Sequence, residues 1–116
     1  MIEKTVIDYL NTVLTPPVGA QTPEGPPEKY VVVERTGGGE KDGLQAAVLA
    51  LRCFAPTLYD AILLCTDVSD CMKQLPGNAP NVFSAYAESM YNQTDLRSKS
   101  FRYTAIFRVY YMEATA

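Results

Sequence analysis

One stretch, residues 30–54, restricts the possible folds more than any other part of the chain. It opens with the β-branched run Val31–Val33, passes through the glycine-rich polar segment Thr36–Gly43, and returns as the apolar run Leu44–Phe54. Two apolar runs joined by turn-forming residues are typical of a β-hairpin. The three glycines and the charges beside them predict a long, mobile hairpin tip. The rest of the chain is expected to pack on this hairpin or to pair with its edges.

The second arm of the hairpin, Leu44–Phe54, can be interpreted in two ways. Its alanines favour a helix, whereas the strand just before it needs a neighbour and a helix is predicted immediately after it. We therefore predict a strand. The consecutive valines 31–33 in the first arm indicate that both faces of that strand are at least partly covered.

Two segments have the apolar periodicity of helices packed on a core. The first is Ile2–Leu14, which Pro16 and Pro17 end. The second is Thr57–Gln74, with Thr57 as its N-cap and Pro76-Gly77-Asn78 as its end. The predicted apolar face of the second helix consists of Leu58, Ile62, Cys65, Val68, Met72 and Leu75.

The remaining segments predict strands and connections. Pro16–Pro27 is expected to be a stiff, exposed connector with room for one short strand at Val18–Thr22. Asn81–Tyr91 and Phe101–Met112 read as the last two strands, joined by the polar turn Asn92–Ser100. The alternation in the last strand predicts a core face of Tyr103, Ala105, Phe107, Val109 and Tyr111. The whole chain, 1–116, then forms a single α+β domain in the order α-β-β-β-α-β-β, with two helices on a mainly antiparallel sheet of four to five strands.

Composition excludes several classes of function. The 116 residues carry a net charge of −3, which argues against a protein that grips DNA over a broad surface. No apolar run is long enough to span a membrane. The N-terminus lacks the pattern of a signal peptide, so we expect cytoplasmic synthesis. The chain has no histidine, the commonest general base and metal ligand, and its three cysteines lack a Cys-x-x-Cys spacing and are expected to be buried free thiols.

No pattern of residues predicts catalysis or cofactor binding. Gly37–Gly43 lacks the pattern of a phosphate-binding loop and carries two acids that would repel phosphate. Asp67 and Asp70 are expected on the solvent side of a helix, and neither they nor Glu40 with Asp42 have a third ligand for a metal. Cys53 has no recognisable base beside it. The residues alone therefore give no candidate catalytic, cofactor-binding or metal-binding residue.

The tyrosines point to contacts with other proteins. Eight tyrosines occur in the chain, and five of them cluster on the last two strands. If one sheet face is core, Tyr110, Ile106 and Met112 remain on the other, beside Arg102 and Arg108. Such a surface is typical of a protein interface, unless both faces are covered within the subunit.

Four stretches together resemble a known family. They are Ile2–Leu10, Pro26–Gly38, Phe54–Ala61 and Arg102–Phe107. This arrangement resembles the tail-terminator, or tail-completion, proteins that join heads to tails in long-tailed phages and prophages of Gram-positive bacteria. The resemblance covers nearly the whole chain in order and element type.

What this resemblance implies is a non-enzymatic structural protein of the virion tail or neck. Family members form a hexameric ring that caps the tail tube, stops growth of the tube protein and presents a surface to the head connector. The strands would surround a lumen through which DNA passes without sequence-specific binding, with the helices outside. The contact loops would be the hairpin tip, Gly37–Gly43, and the Pro16–Pro27 segment. The predicted oligomer or partner interface is Gly37, Gly38, Gly39, Glu40, Lys41, Asp42, Arg102, Arg108 and Tyr110.

Other functions stay open on the sequence alone. A head-completion or connector-adaptor protein shares the ring geometry, although such adaptors are more often helical. A small ligand-binding module is a second alternative, which a deep pocket gathering several acids or Cys53 would favour. An accessory domain of a host protein is a third.

Overall fold

The computed structural model describes residues 1–98 and 100–113. Its elements in chain order are α1 (Ile2–Val13), β1 (Val18–Gly19), β2 (Tyr30–Lys41), β3 (Leu44–Ala55), α2 (Leu58–Lys73), α3 (Leu75–Asn78), β4 (Val82–Asn92) and β5 (Phe101–Tyr111). The strands form a five-stranded sheet in the order β1-β2-β3-β5-β4. Its pairs are antiparallel except β1–β2. The predicted α+β fold and order are confirmed, with the short α3 as an addition.

The first helix and the segment after it are held by one amide side chain. α1 buries Ile2, Val6 and Leu10 at intervals of four residues. Beyond them, Asn11 donates a hydrogen bond to the carbonyl of Val18 (2.9 Å) and accepts one from its N–H (3.0 Å). Because this clamp fixes the chain at Val18, only two residues of the predicted 18–22 strand pair with β2.

The second helix begins where the sequence predicts but buries a slightly different face. Thr57 is the N-cap, since its hydroxyl accepts a hydrogen bond of 3.1 Å from the Asp60 N–H. The buried residues are Ala61, Leu64, Cys65, Val68, Ser69 and Met72. The prediction that Ile62 is buried was wrong, because that side chain is 38% exposed. The helical period predicts that one face of the helix is apolar, but it does not fix which residues lie at the middle of the buried face. In the structure the small Ala61 is buried in place of Ile62.

The end of the second helix also differs from the prediction. α2 stops at Lys73, with Gln74 as its C-cap. Pro76-Gly77-Asn78 does not simply end the helix, because these residues form the separate turn α3 with Leu75. Proline is well accommodated in the first turn of a helix, where its missing N–H has no partner to lose.

The core lies between the helices and one face of the sheet, here called the covered face. α1 and α2 pack there on alternate strand residues: Val31, Val33, Leu49, Leu51, Cys53, Ala105, Phe107 and Val109. Tyr111 joins the same cluster and Tyr103 packs against it. The predicted core face of the last strand is therefore confirmed.

The hairpin at the centre of the sequence is longer and tighter than expected. β2 continues through the three glycines to Lys41, which pairs with Leu44, so only Asp42 and Gly43 lie outside the ladder. Both have positive φ, 54° and 83°, as a two-residue hairpin turn of the primed type requires. The predicted long loop over residues 36–43 was wrong, because the two strands pair as far as Lys41 and Leu44.

Candidate functional site

The glycines of the predicted interface shape a bulge in β2. The register between β2 and β3 shifts between Arg35 and Gly37. There the Arg35 guanidinium donates hydrogen bonds to the carbonyls of Gly37 (3.1 Å) and Ala46 (3.4 Å) and to the Tyr111 hydroxyl (3.2 Å). Gly38 has a φ of 132°, and a Cβ on it would lie 2.0 Å from the Ala46 carbonyl oxygen. The bulge therefore depends on a glycine at position 38.

The face of the sheet opposite the helices is here called the open face. Among the residues that the structure describes, no helix packs on it, since every helix residue of the core cluster meets the covered face. Strand pairing places the following side chains there: Tyr30, Val32, Glu34, Val48, Ala50, Arg52, Phe54, Ser84, Tyr86, Ser89, Tyr91, Arg102, Thr104, Ile106, Arg108 and Tyr110. The expectation that Tyr110 and Ile106 face away from the core is confirmed.

One end of the open face is closed by its own side chains. The rings of Tyr30 and Phe54 stack with centroids 4.4 Å apart, and the Arg102 guanidinium lies 5.8 Å from the Phe54 centroid. The Gln93 amide oxygen accepts a hydrogen bond of 2.8 Å from Thr104, which is fully buried. This end of the face is therefore consolidated within the subunit.

The other end of the open face is more accessible. Tyr86 and Tyr110 lie with ring centroids 6.3 Å apart, next to Arg108, whose Nε donates to Glu88. Hydrogen bonding to Glu88 and its negative charge raise the pKa of Arg108. Farther along, Arg52 pairs with Glu34 at 2.7 Å. Aromatic groups and charges that are already paired give this region the composition of a protein-contact surface.

The predicted interface residues fall into two groups. Residues 37–42 form the end of the β2–β3 hairpin, and the ladder places Tyr110 opposite Ala46 and Arg108 opposite Val48, at the same end of the sheet. Arg102 lies opposite Phe54 at the other end, about 27 Å from Tyr110 at the rise of an extended strand. Arg102 is also engaged with the carbonyl of Gln93 (2.7 Å). The structure therefore brings the hairpin end, Arg108 and Tyr110 together and separates Arg102 from them.

A groove that the sequence did not predict lies on the helical side. It has a volume of about 910 Å³ and runs between the end of α1, the proline-rich segment and α2. Its apolar lining includes Val13, Leu14, Pro16, Pro17, Leu63 and Leu64. Val13 and Leu63 are each 48% exposed, so the groove is open rather than enclosed. We refer to it as the helical groove.

The helical groove is acidic along one wall. Asp60, Asp67 and Asp70 line it from α2, where their spacing places them on the same side of the helix as Leu63. Within residues 1–98 and 100–113, no ion pair includes any of these three carboxylates. Their pattern is visible in the sequence, but the facing wall from residues 13–17 becomes apparent only once α1 packs beside α2.

The cysteines do not form a reactive centre. Hydrogen bonding with Cys65, together with burial, raises the pKa of the Cys53 thiol well above its ordinary value, and the same hydrogen bond lowers the pKa of Cys65. Both thiols are buried. Cys71 is half-buried at the helical groove, and burial followed by the charges of Asp67 and Asp70 raises its pKa. The expectation that all three thiols are buried is therefore confirmed for Cys53 and Cys65 alone.

Two further findings concern the described residues as a whole. No group of three or more histidine, cysteine, aspartate or glutamate side chains among them could hold a metal ion. None of their helices is long and apolar enough to cross a membrane.

No protein-family model matches the chain, and no curated protein matches it.

Proposed function

We propose that this chain is a structural protein of phage virions that caps the tail tube as a homo-oligomeric ring. In this role it ends polymerisation of the tube protein and joins the tail to the head connector, without enzymatic activity. The proposal combines the resemblance to tail-terminator proteins with the observation of an open sheet face. The resemblance suggests six subunits in the ring.

The open face is the observation that carries the proposal, and we assign it as the contact surface for the tail-tube protein. Four adjacent strands of about eleven residues give it roughly 650 Å² at ordinary strand spacing and rise. A standard protein interface buries about 800 Å² per partner. The end of the face around Phe54 and Thr104 is closed within the subunit, so the accessible end offers only part of such an area. Tyr86, Ile106 and Tyr110 supply its apolar and aromatic groups.

The charges on the open face suit a virion lumen that must release DNA. Arg108 is paired with Glu88 and Arg52 with Glu34. A guanidinium that is already paired offers less attraction to phosphate than a free one. DNA that passes close to this sheet would meet no strongly basic surface.

The hairpin end supports assembly through its regular conformation. Strand pairing to Lys41, the tight Asp42-Gly43 turn and the hydrogen bonds of Arg35 to the carbonyls of Gly37 and Ala46 define this conformation within the subunit. A segment that is already ordered loses little conformational entropy on association. This makes the hairpin end better suited to a contact than the mobile loop predicted from sequence.

The deciding experiment is to mix the purified protein with growing tail-tube protein and to image the products by electron microscopy. We expect rings and tubes capped at one end that have stopped growing. A protein that ignores the tube protein but binds the head connector would be a connector adaptor instead. Indifference to both partners would contradict the proposal.

The variant Ile106→Asp tests the assignment of the open face. We expect it to fold, because Ile106 lies outside the core cluster, and to leave tubes uncapped. Normal capping by this variant would overturn the assignment of the open face as the tube contact.

A ligand-binding module is a second candidate function, favoured by the helical groove. The groove gathers Asp60, Asp67 and Asp70 beside apolar residues, which meets the expectation of several acids, although the groove is open rather than deep and does not contain Cys53. Its openness suits a peptide segment better than a small molecule, because small-molecule sites enclose most of the ligand surface.

A further inference from the structure

We propose that the helical groove is the docking site for the β4–β5 loop of a second copy of this chain. Leu96 of one copy enters the apolar floor, and Arg97 pairs with the carboxylates of α2. The inference deepens the ring assembly proposed above and rests on it, because it names the contact between neighbouring subunits.

The β4–β5 loop presents its leucine to solvent in an ordered turn. Leu96 is 97% exposed, more than the other large apolar side chains in the described ranges. The backbone around it is held by hydrogen bonds from the Ser98 N–H to the Asp95 carbonyl (2.9 Å) and from the Gln93 N–H to the Arg102 carbonyl (2.9 Å). Burial of this side chain in a partner would remove its apolar surface from water, which favours association.

The groove and the loop are complementary in chemistry. The groove has exposed apolar side chains, Val13 and Leu63, beside the three aspartates of α2, which have no ion-pair partner in the described structure. Glu28 and Lys29 also line it, so four carboxylates accompany one ammonium group. The loop has an exposed leucine followed by Arg97, whose side chain is 91% exposed. Arg97 contacts Asp95 through Nε alone, at 3.4 Å, so its terminal nitrogens are available to a carboxylate of another subunit.

The docking must join two different copies. Leu96 does not occupy the groove of its own chain, since almost all of its surface is in solvent. The loop and the groove are different surfaces of one chain, so the contact is head-to-tail. Contacts of this kind produce rings when the rotation between neighbours closes and filaments when it does not.

The free edges of the sheet are β4 on one side and, on the other, the part of β2 that the two-residue strand β1 leaves unpaired. They are poorer candidates for joining subunits. β2 carries a bulge between Arg35 and Gly37, and β4 is irregular between Val82 and Ser84 and between Ala87 and Ser89. Bulges at edge strands interrupt the regular ladder that strand addition needs. This leaves the loop and the groove as the better matched pair of surfaces.

The first test measures self-association by sedimentation velocity over a range of protein concentrations. Leu96→Ser is expected to weaken association about 10- to 100-fold, the effect of losing one buried leucine side chain. The control is Tyr59→Ser, which changes an exposed side chain of α2 that lies outside the groove. This variant should leave association unchanged. Arg97→Glu and Asp67→Arg should each weaken association, and the double variant should regain part of the loss.

The second test maps the contact by cross-linking. Ser98→Cys places a thiol beside Leu96 while preserving Leu96 and Arg97, and Cys71 supplies the thiol in the groove. A short bismaleimide should then link subunits into a ladder, and adding Cys71→Ser should abolish that ladder.

The outcomes separate this inference from the proposed function. Rings that form and cap tubes, but are indifferent to Leu96→Ser and give no ladder, would overturn the docking proposal and leave the ring intact. If the head connector shields the Cys71 thiol from the maleimide while a second copy of the chain does not, that result would overturn the docking proposal in favour of a different partner. A chain that stays monomeric with tube protein present would contradict both.

Discussion

The two faces of the sheet are built from alternate residues of the same strands, yet they differ in what covers them. On the covered face Leu49, Leu51 and Phe107 are fully buried beneath helices. At the accessible end of the open face their neighbours Val48, Ile106 and Arg108 are only half-buried, although Ala50 and Thr104 farther along are buried. The accessible end of the open face therefore keeps apolar side chains that the subunit itself does not cover. This difference is the physical basis for treating the open face as a contact surface.

The largest expected effect tests whether stability lies on the covered face. Phe107→Ala should lower the free energy of unfolding by about 3–5 kcal/mol, because it removes a buried aromatic ring and leaves a cavity. Ile106→Ala, one residue away on the open face, is the matched control and should cost about 1 kcal/mol. Urea denaturation of both variants measures the difference. Equal losses would break the comparison between the faces.

The bulge in β2 offers the next largest effect. Gly38→Ala should destabilise the fold by about 1–3 kcal/mol, because φ is positive and the new Cβ would collide with the Ala46 carbonyl. Gly39→Ala is the control, since a Cβ there meets nothing within 4 Å. Thermal unfolding compares the two. If Gly39→Ala were as damaging as Gly38→Ala, the loss would reflect strand glycines in general and not this bulge.

A smaller effect concerns the helices behind the covered face. The Tyr9 hydroxyl donates a hydrogen bond of 2.8 Å to the Cys71 carbonyl, and Tyr9→Phe should cost about 1 kcal/mol at neutral pH.

The same tyrosine predicts a pH dependence. Burial, followed by the charge of Cys71, raises the pKa of Tyr9 above its ordinary value of 10.0. A group whose pKa is raised in the folded state contributes its full stabilisation of the fold when the pH is below its unfolded-state pKa. That contribution is lost as the pH rises through its folded-state pKa. Above pH about 10 the gap in stability between wild type and Tyr9→Phe should therefore shrink. A gap that widens with pH would contradict this assignment.

The smallest expected effect on stability comes from a variant on the open face, which tests the comparison between the two faces from that side. Tyr86→Ser should change the free energy of unfolding by no more than about 0.5 kcal/mol, because Tyr86 is exposed. The same variant should lose capping of tail tubes under the electron microscope, since aromatic residues dominate interface energies. Normal capping by a stable Tyr86→Ser protein would remove Tyr86 from the contact.

Much of the fold could be predicted because local patterns and packing agree. The helical periods, the Thr57 cap and the alternation in β5 each reflect the environment in which those residues fold. The turn at Asp42-Gly43 was also predictable, since this dipeptide is a strong hairpin signal, but the three preceding glycines drew attention away from it. Glycine permits a mobile loop and a bulged strand equally, and only the hydrogen bonds of Arg35 distinguish them.

The candidate surfaces were less predictable because they depend on pairs of distant segments. Arg102 and Arg108 look equivalent in the sequence. In the structure, however, only Arg102 packs over the aromatic stack of Tyr30 and Phe54. Similarly, the helical groove requires α1 to lie beside α2, which no local pattern specifies. Leu96 was recognisable only as part of a polar turn, and its near-complete exposure required the structure.

The strand order has a consequence for the sequence of folding events. The sheet consists of two local hairpins, β2–β3 and β4–β5, which meet where β3 pairs with β5. Local hairpins close quickly, whereas pairing between strands distant in sequence is slow. The open face spans both hairpins, so we expect it to form only when β3 pairs with β5. A subunit would then engage a partner through that face only after this pairing, and stopped-flow refolding with tube protein present can time the step.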